Sequence, residues 1–271
     1  MIEPSFHSRA ELFERTGRHP WVTLTPESPT LTGYARDGAL AWFVDGPRGQ
    51  WGGTFGDPAA ALALVTDLHR QGALDEVREV HFARTPIEQL GQFRPVQHND
   101  WHVLWTGQQP PPVPREDDVV RLGPQDNADI QRILDDALPG SHNRPGEPRI
   151  RGWYGIRDGG RLVAVGADRS RPGIMGYVVA VAVTPSLQGR GLGGAVTAAI
   201  TRRLLREEAL VGLGVLTSNG RKVSSITLRR SASSVMWAPF DMAQIFPKPL
   251  ANSSTPRSSL LLFFSSLRPS V

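Results

Sequence analysis

A glycine-rich segment constrains the fold of this chain more than any other feature of its sequence. Residues 188–194 read Gln-Gly-Arg-Gly-Leu-Gly-Gly and follow Tyr177–Val183, an almost wholly apolar run that predicts a strand buried on both faces. After the glycines, apolar residues recur at helical spacing and predict a helix over Gly193–Glu208. A strand, a glycine loop and a helix in this order form one structural unit.

Such a loop favours an anion site. Glycines carry no Cβ, so backbone N–H groups can approach a ligand closely. The N-terminus of the following helix adds the equivalent of about half a positive charge. Together they suit a phosphate or pyrophosphate, although glycines also form plain flexible turns.

Two common phosphate motifs fit poorly. Gly189, Gly191 and Gly194 match the dinucleotide pattern G-x-G-x-x-G, but Thr184–Gln188 separates the first glycine from the strand. That fold also needs an acidic residue at the end of the next strand, and Leu216–Asn219 contains none. No Gly-Lys-Ser/Thr follows, which excludes a P-loop. A dinucleotide enzyme is therefore disfavoured.

Residues 181–193 resemble motif A of the GNAT superfamily of N-acetyltransferases, a strand followed by Gln/Arg-x-x-Gly-x-Gly/Ala and a helix. Gln188, Gly191 and Gly193 stand at its three defining positions. Residues 213–219 are similar to the family's next strand and the asparagine after it. The resemblance implies an α/β (α+β) fold with a mixed central sheet flanked by helices.

The resemblance also implies an N-acetyltransferase that uses acetyl-CoA as co-substrate. Backbone N–H groups of residues 188–194 would hold the CoA pyrophosphate, and main-chain groups of Val181 and Val183 would align the pantetheine arm. A primary amine of a small molecule or peptide would attack directly in a ternary complex. The implied cofactor-binding residues are Val181, Ala182, Val183, Gln188, Gly189, Arg190, Gly191, Leu192, Gly193, Gly194 and Asn219.

Catalytic groups are harder to assign. The family often places a carboxylate on the strand before the loop, and Gly176–Thr184 contains none. Asp168, Tyr177 and His142 are weak candidates, because a turn position for Asp168, a core position for Tyr177 and a solvated loop position for His142 explain them more simply. The family's tyrosine in its last helix has no counterpart, since no tyrosine follows Tyr177.

A proline-rich connector at residues 108–115 divides the chain. Residues 1–107 alternate predicted strands and helices and are interpreted as a degenerate GNAT-like half. Within them, Trp51–Gly56 is predicted to be a turn-rich connection, and Asp57 is predicted to cap a helix that ends near Gln71. Residues 116–230 are predicted to form the acetyl-CoA-binding domain.

Residues 231–271 are predicted to be an irregular or disordered tail. The last 55 residues contain 13 serines, whereas the first 216 contain six. Codons for the family's Leu-Gly-Phe, read one frame over, encode Ser-Ala-Ser, which stands at Ser231–Ser233. A frameshift between about Asn219 and Ser231 is our hypothesis, and a chance tripeptide is the alternative. If the catalytic end is lost, the protein would be an inactive or regulatory CoA-binding relative.

Charge and composition restrict the partners. The net charge of +4 comes from the tail, because residues 1–216 hold 23 Lys and Arg against 25 Asp and Glu. Nucleic acid is therefore not an expected partner. The absence of cysteine excludes disulfides and a cysteine nucleophile. We expect no metal, no membrane span and a cytoplasmic location, and a homodimer is compatible with the sequence.

Overall fold

The structure is a computed structural model that describes residues 1–46, 49–83, 85–93, 97–216 and 238–246. The helices are α1 (Arg9–Thr16), α2 (Pro20–Thr23), α3 (Pro58–Arg70), α4 (Asn127–Ala137) and α5 (Leu192–Leu204). The strands are β1 (Thr32–Arg36), β2 (Ala39–Gly46), β3 (Gly49–Phe55), β4 (Val77–Ala83), β5 (Gln97–Thr106), β6 (Val120–Leu122), β7 (Gly152–Asp158), β8 (Arg161–Asp168), β9 (Gly176–Val183), β10 (Val211–Leu216) and β11 (Ala238–Phe246).

The strands form one mixed sheet in the order β1-β2-β3-β4-β11-β5-β10-β9-β8-β7-β6. Two neighbouring pairs, β3 with β4 and β9 with β10, run parallel, and a helix connects the strands of each pair. All other pairs are antiparallel. The predicted mixed α/β class with flanking helices is confirmed.

Both halves of the chain repeat one order of elements. In the first half α2 is followed by β1, β2, β3, α3 and β4, and in the second half α4 is followed by β7, β8, β9, α5 and β10. Strand β5 then joins the halves, because it lies antiparallel to β10. The connector after it contains no helix or strand over residues 107–115 and is held to α5 by a bond from Arg202 Nη2 to the Pro110 carbonyl, 2.8 Å.

The two faces of the sheet have separate apolar layers. One face packs on α3 in the first half and on α5 in the second, where Val196 and Ile200 are fully buried. The opposite face is covered by α1 and α2 in the first half and by α4 in the second. The loop after β9 therefore begins between two buried layers, which limit how it can move.

Strand β3 corrects the prediction of a turn at Trp51–Gly56. Its glycines do not form a turn; they leave space for large aromatic rings on β2. A methyl group on Gly52 would lie 2.3 Å from Cδ1 of Phe43, and one on Gly53 would lie 2.5 Å from Cζ2 of Trp42. Glycine in a strand interior often marks such a close approach, which the sequence alone does not distinguish from a turn.

Strand β11 corrects the prediction of an irregular tail at residues 238–246. Its backbone pairs with β4 on one side and β5 on the other, and two ladders stabilise a segment whose own pattern is weak. Residues 217–237 and 247–271 lie outside the described residues, as does the proposed frameshift between Asn219 and Ser231. No helix within the described ranges is long and apolar enough to cross a membrane.

Candidate cofactor site

Strands β9 and β10 separate at the centre of the sheet. They pair only over Gly176–Val178 and Val211–Leu213, so that one edge of residues 179–183 has no strand partner in the described part of the chain. A β-bulge lies at this point: Ala180 has a φ of 53°, and Ala180 and Val181 together face the single residue Gly166 of β8. A bulge bends its strand and frees backbone groups from the ladder. We call the opening between the two strands the fork.

The glycine-rich loop lies beyond the carboxyl end of β9. Gly189 and Gly191 have φ values of 79° and 83°, a region that costs other residues about 1–2 kcal/mol. Gly193 and Gly194 already belong to α5 and have no positive φ, and a methyl group on either would meet only ordinary contacts or open space. Glycine at these two helical positions costs about 1 kcal/mol each in helix stability, and no contact among the described residues requires it.

Six consecutive backbone N–H groups, those of residues 189–194, donate to no acceptor among the described residues. Residues 189–191 are exposed, whereas Leu192 is 3% exposed and anchors the loop in the core beneath α5. Because the donors stand at the N-terminus of a 13-residue helix, the dipole adds positive potential. The arrangement can bind a doubly or multiply charged anion.

Gln188 differs from the residues after it. Its own N–H donates to the Pro185 carbonyl at 3.3 Å, and its side-chain Nε2 donates to the Val183 carbonyl at 3.1 Å. The side chain thereby ties the loop to the end of β9. The backbone cradle implied by the family resemblance for residues 188–194 thus has its free donors at 189–194.

In the first half, the corresponding turn between β3 and α3 is occupied by a side chain of the chain itself. Asp57 caps α3 by accepting a hydrogen bond from the Ala60 N–H at 2.9 Å, and Pro58 supplies no N–H at the first helical position. A carboxylate at this helix N-terminus takes the place that an anionic ligand would occupy and repels other anions. Only the second half offers an open cradle within the described ranges.

The three catalytic candidates lie in different surroundings. Asp168 is 6% exposed, and its Oδ1 accepts from both the N–H and the hydroxyl of Ser170, so that it holds a turn. His142 is exposed in the loop after α4. Tyr177 is half-buried on β9, two residues before the strands separate. Asn219, the remaining cofactor-binding candidate, lies outside the described residues.

Tyr177 is the candidate that stands at the fork. A methyl group on Gly214, the first residue of β10 beyond the paired stretch, would lie 3.1 Å from the Tyr177 hydroxyl and 3.5 Å from Cε3 of Trp101. Burial raises the pKa of Tyr177 to about 12, although Arg169 and Arg171 nearby act in the opposite direction. The hydroxyl can therefore donate a hydrogen bond near neutral pH but cannot act as a base.

Sequence reasoning did not bring Trp101 and Gly214 together. Their proximity depends on the pairing of β5 with β10, where Trp101 lies opposite Leu216. Among the described residues there is no group of three or more His, Cys, Asp or Glu side chains arranged to hold a metal ion.

A family model described as FR47-like protein matches residues 153–224, which run from β7 past β10 and include the fork and the loop. A GNAT-family acetyltransferase from Colwellia psychrerythraea is similar in structure, with a TM-score of 0.53 at 13% identity, over 91% of this chain and 99% of that one. This chain has the GNAT fold.

Two further solved structures give lower TM-scores against this GNAT-fold chain. A GCN5-related N-acetyltransferase from Kribbella flavida gives a TM-score of 0.47 at 16% identity over 79% of this chain and 88% of that one. A GNAT-family acetyltransferase from Brucella melitensis in complex with acetyl-CoA gives a TM-score of 0.26 at 20% identity over 32% of this chain and 67% of that one. No curated protein sequence matches the chain.

Proposed function

We propose that this protein binds acetyl-CoA on the loop after β9 and transfers the acetyl group to an amine. The observation that carries the proposal is the row of six free N–H donors at residues 189–194, beside the fork and at the N-terminus of α5. The GNAT fold and the FR47-like match over residues 153–224 support it.

The loop would hold the pyrophosphate of CoA. Hydrogen bonds to a charged acceptor contribute about 1.5–3 kcal/mol each, so that three of the six donors supply about 4.5–9 kcal/mol, against the roughly 8 kcal/mol of micromolar affinity. Arg190 is exposed on the same loop and adds a full positive charge next to the donors.

The fork would hold the extended arm of the cofactor. An unpaired strand edge offers backbone donors and acceptors to a chain laid beside it, in the manner of an added strand. Residues 179–183 present such an edge, although the carbonyl of Val183 is already bonded to Gln188. Val181 and Val183 pack against the core beneath α5, which keeps this edge rigid.

Acetyl transfer from a thioester to an amine develops negative charge on the carbonyl oxygen and then on the leaving sulfur. The Tyr177 hydroxyl would donate a hydrogen bond to this charge. A thiol has a pKa near 8.5, so that a phenol with a pKa of about 12 stabilises the thiolate without giving up its proton. β9 carries no carboxylate and Asp168 is occupied, and we therefore assign removal of the amine proton to water.

Replacing Tyr177 by phenylalanine should lower kcat about 100-fold, because loss of one donor to a developing charge typically has an effect of this size. The dissociation constant of acetyl-CoA should stay within about twofold, since the loop donors are untouched. Turnover would be measured as release of the CoA thiol. Tyr34→Phe is the matched control, because Tyr34 is buried in the first half; an unchanged kcat in Tyr177→Phe would contradict the role.

Each chain should bind one acetyl-CoA. The second half has an open cradle, whereas the N-terminus of α3 is occupied by Asp57. Isothermal titration would measure the stoichiometry, and a value near two would contradict the difference between the halves. In Asp57→Asn the side chain still caps α3 but carries no negative charge, and the stoichiometry should still be one.

Titration with acetyl-CoA, and with NADH as control, tests the cofactor proposal directly. Binding of acetyl-CoA alone supports it, and binding of NADH alone would favour a dinucleotide enzyme. An inactive or regulatory CoA-binding relative is the second candidate, and it is favoured by the absence of any tyrosine after Tyr177. Acetyl-CoA binding without thiol release in a broad amine screen would identify that case.

A further inference from the structure

The face of the sheet opposite α5 carries an aromatic floor at the fork. Tyr177 and Trp101 meet above Gly214, and both side chains are only partly buried. The floor continues along β5 to Trp105, whose ring centroid is 5.3 Å from that of His19. His19 also lies 5.1 Å from Phe55. Aromatic rings that stay partly exposed in this way can cover the apolar body of a ligand.

Arginines border this floor at the amino end of β9. The N–H of Arg169 donates to the carbonyl of Tyr177 at 2.8 Å, which continues the β8–β9 register by one residue and places Arg169 opposite Tyr177. Residues directly opposite in an antiparallel pair point to the same face of a sheet. Arg169 therefore projects on the same side as the aromatic floor.

Arg171 connects this edge to the first half of the chain. Its Nη1 donates to the carbonyls of Leu24 and Thr23 at the end of α2, and α2 packs in the same apolar layer as Trp101 and Trp105. Met175, which lies across from Arg171, accepts a contact from the Thr23 hydroxyl at 3.7 Å. The guanidinium is thus half-buried beside the floor.

The other arginines nearby differ from Arg171 in their partners. Arg9 pairs with Glu27 at 2.6 Å, and Arg149 pairs with Glu147 at 2.5 Å. Arg171 bonds only to backbone carbonyls within the described part of the chain, and no carboxylate there approaches it to salt-bridge distance. Only Nη1 of Arg171 donates to an acceptor among the described residues, so that Nε and Nη2 can donate to a carboxylate side by side.

Electrostatics agree with this geometry. Burial, followed by the positive charges of Arg169, Arg9 and Arg149, lowers the pKa of Arg171 to about 10. A cation held among like charges is stabilised by any anion that binds beside it. Asp168, the nearest carboxylate along β8, is opposite Val178 and so faces the α5 side of the sheet, where it bonds to Ser170.

We infer that the acceptor is an amine that also carries a carboxylate and an aromatic or large apolar body, as an aromatic amino acid does. Arg171 would bind the carboxylate, with Arg169 adding positive charge. The floor formed by Tyr177, Trp101 and Trp105 would cover the apolar body and leave the amine at the fork. This inference rests on the proposed acetyl transfer, because it assigns the substrate class of the same site.

The test uses matched pairs that differ only in the carboxylate: phenylalanine with phenethylamine, and tryptophan with tryptamine. Thiol release would be measured for each with the full-length chain and acetyl-CoA. We expect kcat/KM to be about 10- to 100-fold higher for the amino acid than for its decarboxylated counterpart, because charge-assisted hydrogen bonds to the carboxylate have an effect of this size. Equal rates or a preference for the amine would overturn the inference.

Arg171→Gln should abolish that preference by raising KM for the acid, so that the acid and the amine of a pair react with similar kcat/KM. Arg171→Lys keeps the charge and should retain part of the preference, which separates loss of binding from loss of folding. Arg206→Gln, at an exposed arginine after α5, is the matched control. An acid preference that survives in Arg171→Gln would also overturn the inference.

A binding experiment distinguishes failure of this inference from failure of the proposed function. Calorimetry would compare N-acetylphenylalanine with N-acetylphenethylamine on the chain with and without CoA. Tighter binding of the acid, lost in Arg171→Gln, supports the acceptor class even if acetyl-CoA does not bind and the proposed function fails. Binding of neither compound, in a chain that binds acetyl-CoA, overturns the acceptor class and leaves the cofactor proposal standing.

Discussion

Gly191→Glu should weaken acetyl-CoA binding at least 100-fold. Gly191 has a φ of 83° at the N-cap of α5, and a residue with a Cβ is strained there by about 1–2 kcal/mol. The glutamate adds a negative charge among the six free N–H donors, where it competes with the pyrophosphate and repels it. A 100-fold loss corresponds to roughly 2.8 kcal/mol, which lies within the sum of the strain and a helix-terminus charge effect of up to about 2 kcal/mol.

The measurement is a calorimetric titration of each variant with acetyl-CoA. Gly191→Ala introduces the strain alone, so its difference from Gly191→Glu isolates the charge. Gly159→Glu is the folding control: Gly159 has a φ of 55° in the turn between β7 and β8, and a side chain there meets open space. Unchanged affinity in Gly191→Glu, with the chain folded, would mean that the loop does not bind the cofactor.

Ile200→Ala should lower the free energy of unfolding by about 2–5 kcal/mol, the usual cost of removing a large buried aliphatic side chain. Ile200 is fully buried in α5 and packs toward Gly166 of β8, directly beneath the bulge. The helix carries the loop at its N-terminus, so that loosening its packing should also weaken acetyl-CoA binding.

Urea denaturation would measure this change, with Arg206→Ala as a surface control expected within about 0.5 kcal/mol of the parent. Saturating acetyl-CoA should restore part of the lost stability, because it binds only the folded state: about 2.7 kcal/mol at 100 times its dissociation constant. If acetyl-CoA shifts the urea midpoint of neither the parent chain nor Ile200→Ala, the proposed site is contradicted.

Much of the second half could be predicted from local sequence. The strand predicted at Tyr177–Val183 is observed as β9, Gly176–Val183, and the helix predicted after the glycine loop is observed as α5. Apolar period and caps determine such elements within short windows. Helix α5 ends at Leu204, before the predicted Glu208, because the chain turns after Leu205 to start β10.

Features that depend on contacts between distant residues were not predictable. Strand β3 was read as a turn, since the rings of Phe43 and Trp42 that require its glycines come from another strand. Strand β11 forms because β4 and β5 both pair with it, whereas its own residues show no alternating strand pattern. Its register cannot be read from nine residues alone.

The sequence by itself determined the glycine loop, the buried strand before it and the helix after it, because backbone conformation and apolar period are local properties. The tertiary structure decided that β9 and β10 separate after three residue pairs and that Tyr177 and Trp101 meet above Gly214. It also decided that Arg171 reaches α2 across the chain. Only packing brings together residues so far apart in sequence, and the proposed acceptor site consists of such residues.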